Sequence, residues 1–377
     1  MRILHTADNH LGVRQYGLAA RQDDFSAAVA QVAALASKHE VDALTFGGDQ
    51  FHTSHPPAQA VLDLREAVSA SGVTCYGIDG NHDVSGSNWL TLCDIIPLEI
   101  WGAEGKPVLT KAADGTTLFG LNSYVPSVFR QKLKQLADNL DGKLDVLLVH
   151  MPLSDIWNKG GGLDKTAITA QEISEALTSK GLRLVLLGDI HDYTETVVGG
   201  VRYVYPGSTE ITASDENRDK GAILVEITPS EIKLQRVPVE TRPFIDIHVA
   251  TEEDLEGLLA AVEAVGGPRG PVALVTYDKG VKGALSRITA ILRDNHLFRA
   301  MPARSGLAET LGSENLPGMI NSFDRDAAVK MLKAVLLGEF EEGSDAPALI
   351  IEMLDSSDKV ASIAETYVKG KGIDFRV

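Results

Sequence analysis

The chain has 377 residues, 44% hydrophobic and 23% charged, and its 35 Lys plus Arg against 52 Asp plus Glu leave a net charge of −17. That length accommodates two or three domains with cores of their own, and the composition is that of a globular chain rather than a disordered one. The acidity argues against general affinity for nucleic acid unless metal ions or a local basic patch compensate. No run of 18 apolar residues predicts a membrane span, and "MRILHTADNH" lacks the parts of a signal peptide. With only Cys75 and Cys93 there is no disulfide framework, so a reducing, cytoplasmic interior is expected for a cellular protein, or the host cytoplasm for a viral one.

The first two hundred residues alternate strand and helix. "RILHTAD" reads as a strand, "DDFSAAVAQVAALASKH" has helical spacing, and "VDALTFGGD" is again a strand. "PPAQAVLDLREAVSASG" opens with proline and closes with glycine, as helices do. There follow "VTCYGIDGNHD", "KLDVLLVHMP", the helical "TAQEISEALTSKG" and the strand "LRLVLLGDIHD". Repeated βα units predict a layered α/β fold whose ligands bind beyond the carboxyl ends of its strands. Successive strands are expected from 195 to about 240, with a boundary at Arg242-Pro243. A smaller strand–helix–strand–helix–strand unit follows over 243–304. Residues 305–320 read as a linker, and the tail predicts helices over 324–340 and 358–370 flanking an apolar run at 347–354.

Metal-ligand side chains sit just past those strands: Asp8 and His10, Asp49, Asn81 beside His82, His150, and Asp189 with His191. A lone Gly-Asp is ordinarily a turn and a lone strand-end His a surface residue, so each piece alone says little. Jointly they supply the roughly seven ligands of a two-metal site, whose ions lie about 3.5–4 Å apart. Asp49 is the natural bridge, because one carboxylate carries two oxygens. Nitrogen and oxygen donors without thiolate suit Mn²⁺, with Mg²⁺, Fe or Zn²⁺ as alternatives. "NKGGGLDKTA" lacks the ending of a phosphate-binding P-loop. Ser208-Thr209 in "YPGSTE" has no local base and reads as a turn near the site.

Asp8-x-His10, Gly48-Asp49, Gly80-Asn81-His82-Asp83, His150 and Gly188-x-x-His191 follow the order found in calcineurin-like metallophosphoesterases. Within them, the chain resembles the SbcD-type nucleases of DNA double-strand break repair, of archaeal or phage-like type. "HLGVRQYGLAARQDDF", "GGDQFHTSHPP" and above all "YPGSTEITASDENRDKGAILVEI" carry that likeness. It is good to about residue 245, loose over 243–304 and thin beyond. The resemblance implies an α/β/β/α sandwich over 1–242, a smaller α/β DNA-binding cap over 243–304, and a C-terminal segment over 305–377 that could dock a partner. It implies one metal at Asp8, His10, Asp49 and His191 and another at Asp49, Asn81, His150 and position 189. There the family has His and this chain has Asp, which makes the ligand set harder and more anionic and shifts preference away from Zn²⁺.

The resemblance implies a role for His52, while His82 and Asp83 take theirs from their place beside Asn81. His82 would protonate the leaving 3′-oxygen or orient the phosphate, Asp83 would hold its tautomer, and His52 would steer the DNA end. The implied activity is Mn²⁺-dependent 3′→5′ exonuclease and single-strand endonuclease cleavage, by a homodimer working with an SbcC-like ATPase. Between Arg269 and Arg304, seven basic residues face only Asp278 and Asp294, a local excess of about +5. That stretch, including Lys282, Arg287 and Arg293, is either a solvated helix face or a DNA-backbone surface. A phosphoesterase for small substrates and a DNA-end scaffold without catalysis are the competing functions.

Overall fold

The computed structural model describes residues 1–85, 87–91, 96–100, 110–157, 166–266, 269–293 and 296–303. The linker, helices and apolar run expected beyond residue 304 lie outside the described residues, as do 158–165 of the glycine-rich loop.

In chain order the first half comprises β1 (Arg2–Thr6), α1 (Ala20–Lys38), β2 (Ala43–Phe46), α2 (Ala58–Ser71), β3 (Thr74–Gly77), a small hairpin of β4 (Val84–Ser85) and β5 (Ser87–Asn88), and β6 (Glu99–Ile100). Then come β7 (Thr110–Lys111), β8 (Thr117–Leu121), α3 (Pro126–Asn139), β9 (Val146–His150), α4 (Ala170–Leu177) and β10 (Leu184–Gly188). Four strands follow without an intervening α-helix: β11 (Thr194–Val198), β12 (Val201–Tyr205), β13 (Gly221–Ile227) and β14 (Ile232–Pro238). The last unit is β15 (Phe244–Val249), α5 (Glu252–Glu263), β16 (Val272–Tyr277), α6 (Ala284–Leu292) and β17 (Leu297–Pro302).

Two six-stranded sheets form, ordered β14-β13-β1-β2-β3-β6 and β11-β12-β10-β9-β8-β7. Strands β1, β2 and β3 run parallel, as do β8, β9, β10 and β12, whereas β13, β14, β11 and β7 join antiparallel. Because side chains alternate along a strand, each central strand buries both faces. Leu184 and Leu186 of β10 meet Ile3, Ile223 and Val225 of the other sheet, while Val185 and Leu187 face Phe129 and Ile173 of α3 and α4. On the opposite side Leu4, Leu44 and Phe46 pack under α1 and α2. The inward stripe of α1 is Phe25, Ala28, Val29, Val32, Ala33 and Ala36, a helical i, i+3, i+4 pattern. Each such large apolar side chain contributes about 1.5–3 kcal/mol by burial. The result is the four-layer α/β/β/α sandwich expected from the sequence.

The terminal unit is a parallel sheet, β15-β16-β17, with α5 and α6 packed on a core of Leu255, Leu258, Val262, Val275 and Ile288. It joins the sandwich through an apolar seam of Ile211, Phe244 and Val272, flanked by Tyr16 and Leu18. Beside that seam lies a buried ionic knot. Asp24 accepts from Arg21 at 2.6 Å, from Arg242 at 2.6 and 3.0 Å, and from Arg269 at 2.8 Å; Glu210 takes a further bond from Arg21. Part of the +5 excess read from the 269–304 stretch is turned inward, because Arg269 pairs with a carboxylate 245 residues away. Among the described residues no helix is long and apolar enough to cross a membrane.

Candidate metal centre

The carboxyl ends of β1, β2, β3, β9 and β10 converge where the two sheets meet, and the loops leaving them are stitched to one another. Asp8 N–H donates to the Gly48 carbonyl and His10 N–H to that of Asp49, each at 3.0 Å. From the other sheet, the Asp189 N–H reaches both oxygens of Asp8 at 3.0 and 3.1 Å. Such close approach needs residues without a side chain. A Cβ on Gly80 would fall 2.0 Å from an Asp49 oxygen, and one on Gly48, already at φ +96°, 2.4 Å from His150 Nδ1. Asp8, His10, Asp49 and Asp189 all hold positive φ, 53°, 44°, 52° and 90°, a region that costs a non-glycine residue of order 1–3 kcal/mol.

All seven residues read as ligands from the sequence are brought to this one place. Donor atoms of Asp8, His10 and His191 lie within 4.8 Å of one another, as do those of Asp8, Asp49 and His150. Asp49 turns one oxygen toward each side, Oδ2 4.0 Å from His10 Nε2 and Oδ1 3.5 Å from His150 Nε2. Asn81 Oδ1 is 3.1 Å from His150 Nε2 and Asp189 Oδ1 is 3.9 Å from it. Asp8 reaches further than expected from the sequence, since its oxygens belong to both groups.

Hydrogen bonding fixes which ring nitrogens face inward. His150 Nδ1 donates to the Gly47 carbonyl at 2.7 Å, so Nε2 is the nitrogen that faces the oxygens of Asn81, Asp49 and Asp189. His191 Nδ1 lies 2.7 Å from a Glu216 carboxylate oxygen, so its Nε2 also points inward, 3.1 Å from His10 Nε2. Imidazole nitrogens and carboxylate oxygens crowded this closely make a site for positive charge. Without a metal ion, a proton on His150 supplies it. Burial opposes a charge on His150, but the Asp49, Asp8 and Asp189 carboxylates overcome it and raise its pKa to about 10. Burial, with repulsion from His191, pushes His10 down to about 3, and burial lifts Asp8 to about 6 despite His150 and His191. The donor set, oxygens and imidazole nitrogens in overlapping groups that share Asp8, fits a pair of divalent cations.

The rim residues are placed differently from expectation. His82 is 40% exposed, and its Nδ1 donates to the carbonyl oxygen of His52 at 2.7 Å. Its tautomer is therefore held by that backbone carbonyl and not by Asp83, as the sequence reading had it. Asp83 is buried and accepts from the N–H groups of Gln50, Phe51 and Gly80 at 3.2, 3.0 and 2.9 Å; it pins the Asp49 loop to the Asn81 loop. The His52 ring stacks on His82, centroids 5.7 Å apart at 24°, and burial with the neighbouring His82 keeps its pKa low. Lys282, Arg287 and Arg293 are exposed, and Arg287 is paired with Glu252 at 2.5 Å.

Sequence reasoning missed Glu216, Thr212 and Lys220. The stretch that holds them had stood out as distinctive, but nothing in its pattern announced that the loop folds back on His191. Ser208 N–H donates to the His191 carbonyl at 3.1 Å, and Thr209 donates to Asn9 at 3.0 Å, which places "YPGSTE" against the site.

The description "Calcineurin-like phosphoesterase" matches residues 1–193. A protein of Haloferax volcanii named "DNA double-strand break repair protein Mre11" is 30% identical over 263 residues, 68% of this chain and 56% of its own length. One of the same name from Methanosarcina acetivorans is 30% identical over 66% of this chain and 40% of its own length. Another, from Halobacterium salinarum, is 24% identical over 99% of this chain and 86% of its own. The chain thus spans about half the length of the first two. Among solved structures, a dimetal phosphatase of Danio rerio has a TM-score of 0.44 at 11% identity, covering 63% of this chain and 96% of that one.

Proposed function

The chain belongs to the calcineurin-like phosphoesterase family, and from that premise we propose that it is a DNA nuclease that trims and nicks DNA ends during double-strand break repair. The observation that carries this reading is the convergence of Asp8, His10, Asp49, Asn81, His150, Asp189 and His191 on one centre with His82 and His52 at its open rim. Relatives named as DNA double-strand break repair proteins support the choice of DNA as substrate.

In this reading Asp8, His10, Asp49 and His191 would hold one Mn²⁺, and Asp49, Asn81, His150 and Asp189 the other. Bound there, the ions lower the pKa of water toward about 7 and neutralise phosphate charge. The protein supplies the rest. Asp49 turns one oxygen toward His10 and the other toward His150, so it would serve both halves of the centre. His82, with Nδ1 committed to the His52 carbonyl, presents Nε2 toward the site; protonated there, it donates to the phosphate or to the leaving 3′-oxygen. His52, flat against His82, forms the wall along which a strand end enters. The unit 243–304 serves as the DNA-facing cap, with Lys282 and Arg293 as phosphate contacts and Arg287 available once released from Glu252. The tail from 305 to 377 docks an SMC-type ATPase, and the nuclease works as a homodimer in the cytoplasm.

A second reading is a phosphoesterase for small substrates on the same core. The net charge of −17 and the internal pairing of Arg269 and Arg287 favour it. The two are separated by giving the Mn²⁺-loaded protein a 5′-labelled duplex, a DNA hairpin and bis-p-nitrophenyl phosphate. Shortening of the duplex and nicking of the hairpin at rates well above turnover of the small ester support the nuclease. Turnover of the ester alone supports the second reading.

A further inference from the structure

Glu216 and Lys220 lie four residues apart in the loop between β12 and β13, with side chains only 7% and 1% exposed. Two charges are buried beside the metal centre, and neither belongs to its ligand set. Lys220 Nζ spends its three hydrogens on Glu216 Oε2 at 2.7 Å, Ser208 Oγ at 2.9 Å and the His191 carbonyl at 3.0 Å. Glu216 Oε2 also accepts the Thr212 N–H at 3.0 Å. The other oxygen, Oε1, takes the Thr212 hydroxyl and lies 2.7 Å from His191 Nδ1. Besides the Lys220 bond to the His191 carbonyl, the network meets His191 at its ring, where Glu216 Oε1 and the Thr212 hydroxyl oxygen each lie 2.7 Å from Nδ1.

The loop itself cannot drift. Glu210, at its start, is bound to Arg21, and Ile211 is packed against Phe244 and Val272. Gln15 clamps it further by donating to the Thr212 carbonyl at 2.7 Å. A carboxylate held this firmly dictates where the proton on His191 resides and which way the ring faces. Removing it frees the ring to rotate or to carry its proton on Nε2, the atom that faces His10.

We propose that Glu216, backed by Lys220, is the positioning residue for His191: it fixes the Nδ1–H tautomer and the ring plane, so that the affinity of one of the two metal positions, and not the other, depends on it. Carboxylates behind metal-binding imidazoles commonly act this way, and their loss weakens metal binding 10–100-fold. The proposal rests on the reading of His191 as a ligand.

The test is a Mn²⁺ titration of the full chain by calorimetry, with electron paramagnetic resonance to detect the spin-coupled ion pair. The wild-type protein is expected to bind two ions per chain. In Glu216→Gln one ion should bind as before and the other about 10–100-fold more weakly, so that uncoupled Mn²⁺ signal appears at stoichiometric metal. Glu216→Asp, which keeps the charge, should recover part of the loss. A Glu216→Gln protein with both affinities unchanged, or with both ions weakened equally, overturns the proposal. Should Glu216→Gln fail to fold, Glu216→Asp, which keeps the charge but draws the carboxylate back from Nδ1, decides by the same criterion, selective weakening or none. Wild-type protein that bound no Mn²⁺ would remove the metal reading itself, a different result from an insensitive variant.

Discussion

The Nε2 atoms of His10 and His191 face each other at 3.1 Å, although the residues are 181 positions apart and come from different sheets. His191 Nδ1 is committed to Glu216, so one proton between the two inward nitrogens is the most they hold without placing positive charge against positive charge. Metal ions should therefore stabilise the fold as well as serve the chemistry. Mn²⁺ at a hundred times its dissociation constant should add about 2.7 kcal/mol per independent site, seen as a higher melting temperature that chelation reverses. A melting curve indifferent to Mn²⁺ and to chelator would contradict the assignment.

Asp189 stands where the family motif has histidine, and its carboxylate is turned to the His150 side of the centre, 3.9 Å from Nε2. Exchanging an oxygen donor for a nitrogen donor should move preference along the metal series. Asp189→His is expected to bind Zn²⁺ more tightly relative to Mn²⁺ than the wild-type chain does. Competition titrations with the two ions read this directly, and an unchanged ratio counts against Asp189 as a ligand.

His52 lies flat on His82 and is not among the seven assigned ligands, although donor atoms of His10, His52 and His82 also lie within 4.8 Å of one another; its removal should misplace the substrate and leave two ions bound. His52→Ser is expected to lose exonuclease activity by about 10²-fold while endonuclease activity falls much less. Both activities are measured on the same preparation, against labelled duplex and circular single strands. Equal losses would argue that the residue has no part in guiding strand ends.

Asp24 is fully buried among Arg21, Arg242 and Arg269. Asp24→Ala strands those guanidinium groups at the seam between the sandwich and the three-stranded unit, an error that costs about 3–5 kcal/mol. Urea unfolding should show this as a lower midpoint, with Mn²⁺ affinity largely kept. A loss under about 1 kcal/mol would mean that the arginines find other partners.

Much of this was legible in the sequence because the signals are local. Four apolar residues before Gly188 predicted a strand buried on both faces, and Leu184 to Leu187 do divide between the two cores. Gly72 closes α2 in the left-handed conformation, as a glycine at that place implies. The ligand positions were readable because a strand end fixes where the next two or three residues go. What stayed hidden depends on long-range contacts. Asp83 was paired with its neighbour His82 on sequence proximity, whereas its partners are N–H groups up to 33 residues away. The basic stretch was counted without Asp24 and Glu252, which lie outside it. Glu216 gave no signal at all, since a glutamate in a polar loop looks like any solvated residue until the loop is seen to close on His191.

The left-handed backbone at Asp8, His10, Asp49 and Asp189 sets this molecule's sturdiness against its chemistry. Glycine would relax each of those corners. Under selection for resistance to heat alone, in chelator, glycine should appear first at Asp189, the most exposed of the four side chains, and last at Asp8 and Asp49, whose carboxylates accept buried N–H groups. The same side chains that face the ions also tie the two sheets together, so this corner resists change for two reasons at once.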